Sequence, residues 1–307
     1  MGTRPTIYLH STWRCASTYV WAKFRGSPQH YCYFEPLNEH LADVDNAFID
    51  RFRPWSFAHH PELEKPYLDE FRPLVSPQGG IEGFPAALTF GNFHLDPTAS
   101  HPQLTSYFTT LERFATENGL APVFGCVRTD LRTGWFRANL PGVHIALRRN
   151  PRRQFLSCLA QGARGNPYFL QRGPVILDCN KEDPLFAPIR ALVDLAPIGD
   201  HLRQPFLESG QAPQWSELYL ISYFLHRLAA DEAAQAHLIL DMDQISTEPA
   251  AARRAESAIR ELTGTAVSFA DCRIERYADQ LSRADPIFAA LEATVDASLD
   301  AAPRAAA

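Results

Sequence analysis

The sequence has 307 residues, which is enough for one large α/β domain or two small ones. Its net charge of −6 argues against nucleic acid as a partner, because a phosphate backbone needs a basic protein surface. No apolar run approaches about 18 residues, so we expect no membrane span. The N-terminus has no apolar leader, which predicts a cytoplasmic location. The six cysteines are scattered and form no C-x-x-C pair, so we expect free thiols.

The first part of the chain is typical of a strand, a loop and a helix in that order. Residues 6–9 form a short apolar, β-rich run, and residues 10–18 form a small polar loop before a helical pattern. Backbone N–H groups at such a loop and helix N-terminus bind anions, and Arg14 adds positive charge. Ser17 and Thr18 offer hydroxyl donors and are expected to cap the helix. The segment therefore predicts a phosphate site, although it lacks the G-x-x-x-x-G-K-[ST] pattern of nucleotide triphosphatases.

A carboxylate follows the second predicted strand. Residues 31–34 form that strand, and Pro36 ends it. Glu35 thus lies at a strand's carboxyl end, where open α/β sheets place their sites, although it could equally be a solvated carboxylate at the strand's edge.

The pattern of residues 42–120 predicts a helical and loop insertion that forms an acceptor pocket or lid. Its candidate lining residues are Trp55, His59 and His60.

The remaining elements predict a helix-covered sheet. The pattern indicates strands at 122–127, 143–149 and 237–243, and helices at 101–118, 132–139, 185–195, 215–236, 250–262 and 285–299. Asn150-Pro151 begins another helix directly after the basic end of the strand at 143–149. We expect a three-layer α/β fold over residues 1–307 as a single domain. Its central, mostly parallel sheet carries a P-loop-like phosphate-binding strand, loop and helix, with helices on both faces.

These motifs resemble those of the sulfotransferases that use 3′-phosphoadenosine 5′-phosphosulfate (PAPS). Their 5′-phosphosulfate loop has a basic residue, two small residues and two hydroxyl residues, which match Arg14, Cys15, Ala16, Ser17 and Thr18. Ala16 replaces the usual glycine, so we expect this loop to form without a positive φ there.

Three later segments extend the resemblance. Arg149 and Ser157 have the spacing of the family's 3′-phosphate motif. Residues 34–40 are similar to the "EPL" segment of carbohydrate sulfotransferases, in which the glutamate is taken as the catalytic base. Asp243 stands where the family has a late turn carboxylate, and we expect it to be exposed.

The resemblance implies an enzyme that moves a sulfuryl group from PAPS to a hydroxyl or amine on a small-molecule or carbohydrate acceptor. The product nucleotide is 3′-phosphoadenosine 5′-phosphate (PAP), and no metal is implied. Glu35 and Arg14 are the expected catalytic residues. The expected nucleotide-binding residues are Arg14, Cys15, Ala16, Ser17, Thr18, Arg149 and Ser157.

Several alternatives remain at this point. His10, His40 and His94 are rival bases, and Cys15 is either a reactive thiol beside Arg14 or a small residue lining the loop. A second function class is a nucleotide-dependent kinase, which needs Mg²⁺ ligands and a lysine near the terminal phosphates. A third is a nucleotide-binding protein without catalytic activity.

The sequence contains few candidate residues for a kinase site. Lys23 lies too far along the first helix to reach terminal phosphates, and Asp241 and Asp243 are its candidate metal-binding carboxylates.

Overall fold

The computed structural model describes residues 4–52, 63–195 and 214–301. The chain divides into two compact units. The first contains residues 1–89, 93–149 and 231–274, and the second contains residues 90–92, 150–230 and 275–307. The single-domain organisation over 1–307 stays a prediction. Trp55, His59 and His60 lie outside the described residues, so their role at an acceptor site also stays a prediction.

The first unit is built on a parallel sheet of five strands in the order β2-β3-β1-β4-β5. The strands are β1 (Ile7–His10), β2 (His30–Phe34), β3 (Ala121–Cys126), β4 (Val143–Arg148) and β5 (Leu238–Asp241). At the carboxyl edge, His10 is in register with Cys126 on one side and Ala146 on the other. The predicted α/β class is confirmed, and the sheet is entirely parallel.

Helices of the first unit connect these strands. They are α1 (Ser17–Arg25), α2 (Asn46–Arg51), α3 (Pro102–Glu117) and α4 (Thr133–Asn139). Short 3₁₀ turns lie at Glu39–Ala42, Asp69–Leu74 and Ala86–Leu88. The predicted insertion at 42–120 therefore contains short helical pieces followed by one long helix. Its role as a pocket or lid stays a prediction.

The remaining helices complete the chain. In the second unit they are α5 (Pro151–Gly162), α6 (Tyr168–Cys179), α7 (Ala187–Arg190), α8 (Trp215–Ala233, which ends just inside the first unit), and, later in the chain, α11 (Ala278–Ala301). In the first unit they are α9 (Met242–Thr247) and α10 (Pro249–Thr263). None of the helices in the described ranges is long and apolar enough to cross a membrane.

Helices cover both faces of the sheet. On one face, Trp21 of α1 packs against Phe34 of β2 with ring centroids 4.9 Å apart. On the other face, Tyr8 of β1 packs against Phe108 of α3 at 6.2 Å and Phe136 of α4 at 5.9 Å. Successive side chains of a strand point to opposite faces. The alternating apolar residues of each strand therefore bury both sides of the sheet, as the three-layer prediction required.

From the neighbouring strands β1 and β3 the chain continues toward opposite ends of the sheet. The helix after β1 lies on one face and leads to β2, whereas the helix after β3 lies on the opposite face and leads to β4. Ligands of open parallel sheets bind at such a switch point, outside the carboxyl ends of the strands. The two loops that meet here are residues 11–16 after β1 and residues 127–132 after β3.

Three element predictions are wrong in part. The terminal helix expected at 285–299 begins earlier, at Ala278. The strand expected at 237–243 ends at Asp241, because the side chain of Asp241 caps α9 by accepting from the Gln244 N–H at 3.0 Å. The helix expected at 185–195 is a 3₁₀ turn followed by the four residues of α7. Pro184 and Pro188 each remove a backbone donor there, which limits a continuous helix.

The second unit is a helical assembly with its own core. Tyr219 of α8 packs on Phe288 of α11 with ring centroids 4.4 Å apart. Arg152 of α5 donates to Glu292 of α11 at 2.7 Å, and the Tyr219 hydroxyl donates to the same carboxylate at 2.5 Å. This partly buried network fixes α5 against α8 and α11.

Candidate functional site

The loop of residues 11–16 forms a tight turn between β1 and α1. Arg14 and Ala16 both have left-handed backbone conformations, with φ of 64° and 61°. The expectation that the loop avoids a positive φ at Ala16 is therefore wrong. The strand-to-helix turn requires this conformation at position 16 whichever residue is present, at a cost of roughly 1–2 kcal/mol for a residue with a Cβ.

The residue at the cap position of α1 does not cap the helix with its side chain. It is Ala16, whose side chain carries no hydrogen-bond acceptor. Ser17 and Thr18 lie inside the first turn, so the prediction that they cap the helix is wrong. The first N–H groups of a helix carry partial positive charge and need an acceptor from outside the helix. This end of α1 is consequently suited to an anion, with the two hydroxyls in its first turn.

Cys15 is buried within the loop. Burial and the nearby Asp130 raise the pKa of its thiol, Arg149 opposes them, and the resulting pKa is about 12. A thiol with this pKa stays protonated at neutral pH and is a poor nucleophile. The structure thus contradicts the reactive-thiol interpretation and supports that of a small residue lining the loop.

Arg149, the basic residue of the predicted 3′-phosphate motif, contacts the loop of residues 11–16. It follows β4 directly, and its Nη1 donates to the backbone carbonyl of Arg14 at 3.1 Å. Its Nε lies 3.6 Å from Oδ1 of Asp243. Asp243 is buried, so the prediction of an exposed carboxylate is wrong. The chain enters α9 at Met242, one residue before Asp243, and this turns Asp243 inward.

Ser157 lies in α5 of the second unit, where it is buried. The helix begins at Pro151, as predicted, and Asn150 caps it by accepting from the N–H groups of Arg152 and Arg153. The role of Ser157 at a 3′-phosphate stays a prediction.

Glu35 is held in place rather than solvated. It has a positive φ of 45°, and its N–H donates to the Gly125 carbonyl at 2.9 Å. Its Oε2 accepts from Nη1 of Arg128 at 2.5 Å and from the Asn38 side-chain amide at 2.9 Å. Nη2 of Arg128 donates to Glu39, so one guanidinium serves two carboxylates.

Arg128 was not identified from the sequence. It is only 1% exposed, and its guanidinium lies over the Trp13 ring at 5.3 Å from the centroid. It therefore connects Glu35 to the loop of residues 11–16. The available signal was the run Arg128-Thr129-Asp130-Leu131-Arg132 directly after a strand. Recognising it required knowing that β3 lies beside β1.

His10 is fully engaged inside the protein. His144 Nε2 lies 3.0 Å from the Leu140 carbonyl, which only accepts, so His144 Nδ1 must accept from His10 Nε2 at 3.0 Å. His10 Nδ1 then accepts from the Thr129 hydroxyl at 2.7 Å. Burial lowers the pKa of His10 well below its usual value. Both ring nitrogens of His10 therefore take part in hydrogen bonds within the protein, which argues against His10 as a base.

The other two histidines lie elsewhere in the first unit. His40 packs against Phe48 and Phe52, and His94 Nε2 lies 4.0 Å from Oε1 of Glu232. The role of His40 or His94 as a rival base stays a prediction.

The residues proposed for a kinase have other contacts. Lys23 pairs with Asp271 at 2.7 Å, and Asp241 caps α9. Within the described ranges no group of three or more His, Cys, Asp or Glu side chains is arranged to hold a metal ion.

Comparisons with models of known protein families, with curated proteins and with solved structures give no significant match.

Proposed function

We propose that this chain is a PAPS-dependent sulfotransferase that acts on a hydroxyl or amine of a small-molecule or carbohydrate acceptor. The observation that carries the proposal is the hydrogen bond from Arg149 to the Arg14 carbonyl at 3.1 Å. It brings the two basic motifs to one edge of the sheet, on the neighbouring strands β1 and β4. A nucleotide with phosphates at both its 5′ and 3′ positions needs two such groups of donors close together.

The loop of residues 11–16 and the first turn of α1 hold the 5′-phosphosulfate. The backbone N–H groups, the Arg14 guanidinium and the hydroxyls of Ser17 and Thr18 stabilise charge on the leaving phosphate and the transferring sulfuryl oxygens. Donors of this kind are worth roughly 2.7–4 kcal/mol each in a transition state. Cys15 and Ala16 form the wall of this cradle.

Arg149 binds the 3′-phosphate. A guanidinium presents two parallel N–H donors to a phosphate, a geometry that a lysine cannot supply. Ser157 is assigned to the same phosphate by its spacing in the sequence alone. This contact distinguishes PAPS from donors that have no 3′-phosphate.

Glu35 acts as the general base. Arg128 and Asn38 hold its Oε2, and within the described ranges no hydrogen bond ends on Oε1. Oε1 takes the acceptor's proton as the acceptor oxygen attacks sulfur. The bond between sulfur and the bridging oxygen of the 5′-phosphate breaks, and PAP leaves with that electron pair.

A thermal-shift screen with PAP, ATP plus Mg²⁺, NAD and buffer tests the nucleotide. We expect PAP to raise the melting temperature most, because a ligand at 100 times its Kd stabilises the folded state by about 2.7 kcal/mol. A larger shift with ATP and Mg²⁺ would instead favour a kinase. Transfer of labelled sulfate from PAPS to a panel of alcohols, sugars and amines then tests turnover. PAP binding without any transfer would favour the non-catalytic alternative.

A further inference from the structure

Asp130 is a buried acid that the proposed mechanism does not use. It lies in the loop of residues 127–132 after β3 and is 8% exposed. Its Oδ1 is buried and has no hydrogen-bond partner within the described ranges. An unpaired carboxyl oxygen in a protein interior costs free energy. Such an atom in a folded protein points to a ligand or a proton that satisfies it.

The loop that carries Asp130 lies against the end of β1. The Arg128 guanidinium is 5.3 Å from the Trp13 ring centroid, and the Thr129 hydroxyl is 2.7 Å from Nδ1 of His10. The Ser11 N–H donates to the Cys126 carbonyl at 3.0 Å. Residues on both sides of the β1–β3 switch point are therefore in contact. The next residue after Thr129 is Asp130, which interacts electrostatically with Cys15 of the candidate anion loop.

Within the described ranges, the charged or titratable side chains that interact electrostatically with Asp130 include Cys15 of the loop of residues 11–16, Arg132 of its own loop and Arg148 of β4. Burial raises the pKa of Asp130 to about 7, although its own backbone, Arg132 and Arg148 favour the charged form. The thiol of Cys15 has a pKa of about 12 and is neutral. Asp130 thus changes between its neutral and charged forms near neutral pH.

We propose that protonated Asp130 is a hydrogen-bond donor to the tetrahedral anion held by the loop of residues 11–16. Its O–H donates to a non-bridging oxygen of the phosphosulfate or of the 5′-phosphate of PAP. The proton comes from solvent when the anion binds and returns to solvent when the anion leaves. The inference rests on the proposed function in one respect, namely that this loop binds the 5′ end of the nucleotide.

Binding of the nucleotide is then linked to pH. Above pH 7 the free protein has lost the Asp130 proton, and the resulting carboxylate repels the anion. The affinity for PAP falls up to about tenfold for each pH unit above 7. In Asp130→Asn the amide donates at every pH. We therefore expect its affinity to be nearly constant from pH 7 to 9 and higher than that of the unmodified protein at pH 9.

Titration calorimetry with PAP at pH 8, in buffers of different ionisation enthalpy, measures the proton directly. Both phosphates of PAP are dianions at this pH, because their second pKa is about 6, so the ligand brings no proton. We expect uptake of about one proton in the unmodified protein and none in Asp130→Asn. The matched control is Glu70→Gln. Glu70 is a partly buried carboxyl with a raised pKa, but it pairs at 2.7 Å with Arg25 at the other end of α1. This variant should take up the proton as the unmodified protein does.

Each outcome decides the matter. PAP binding without proton uptake in the unmodified protein overturns this inference alone, even if Asp130→Asn does not fold. Uptake that persists in Asp130→Asn assigns the proton to another group and also overturns it. ATP binding that requires Mg²⁺ and is lost in Asp130→Asn assigns Asp130 to a metal instead. The absence of PAP binding overturns the proposed function and this inference together.

Discussion

Arg149 and Arg14 are 135 residues apart in the sequence, yet the guanidinium of the first donates to the backbone carbonyl of the second at 3.1 Å. The parallel pairing of β1 with β4 brings this about, because it places the carboxyl ends of both strands at the same edge. The carbonyl and the nearby Asp243 orient the buried guanidinium. A ligand phosphate at this position would meet a preorganised cation, with little conformational entropy to lose.

Replacement of Arg149 by alanine should weaken PAP binding strongly. Loss of charge-assisted hydrogen bonds of about 1.5–3 kcal/mol corresponds to roughly a 10- to 100-fold higher Kd. Titration calorimetry measures the change. Arg113→Ala is the matched control, since Arg113 is an exposed arginine of α3 whose side chain is 68% exposed. Equal affinities for the unmodified protein and Arg149→Ala would remove Arg149 from the 3′-phosphate site.

Replacement of Glu35 by glutamine should lower turnover without weakening PAP binding. The amide keeps the shape of the carboxylate and can still accept from Arg128, but it cannot take a proton. Loss of a general base costs roughly 100- to 10,000-fold in rate. Steady-state kinetics with PAPS and calorimetry with PAP separate the two effects. Unchanged turnover would place the base elsewhere, with His40 and His94 as the next residues to substitute.

Local patterns in the sequence were sufficient to predict the strands that carry the site. Short apolar runs that end in polar loops indicated β1 to β4, and Asn150-Pro151 marked the start of α5. The parallel sheet followed from the alternation of strands and helices. These features depend on neighbouring residues, so one sequence contains the information.

Contacts between distant segments could not be predicted in the same way. The pairing of Arg128 with Glu35 links residues 93 positions apart and depends on β3 lying between β2 and β1. The burial of Asp130 depends on the same strand order, and that of Asp243 depends on β5 lying beside β4. The positive φ of Ala16 is a property of the turn geometry, which overrides the preference of alanine.

Ala16→Gly should stabilise the protein by up to about 1 kcal/mol. Glycine removes the roughly 1–2 kcal/mol cost of a Cβ at positive φ but loses more entropy on folding. Urea unfolding measures the net effect. The matched control is Ala22→Gly in the interior of α1, where the same change should destabilise by about 1 kcal/mol. A loss of stability in Ala16→Gly would show that the left-handed turn is not strained.

Acid should destabilise the protein because His10 and His144 are buried and hydrogen-bonded to each other. Burial lowers the pKa of His144 to about 4 and that of His10 well below its usual value. Below about pH 6.5 the unfolded chain binds protons that the folded protein excludes, so the free energy of unfolding decreases as the pH falls. Each histidine contributes up to about 1.4 kcal/mol per pH unit down to its folded pKa. Asp130 acts in the opposite direction, because its raised pKa of about 7 makes the folded state bind the proton first.

A comparison with His144→Gln isolates the histidine contribution. Asp130 is present in both proteins, so its effect on the difference between their free energies of unfolding cancels to first order. We expect the unmodified protein to lose stability more steeply than the variant between pH 6 and 4, by about 1 kcal/mol per pH unit. Urea unfolding at half-unit pH intervals gives the two slopes. Parallel slopes would mean that His144 takes up its proton in the folded state, and the directional chain from Thr129 through His10 to Leu140 would then be incorrect.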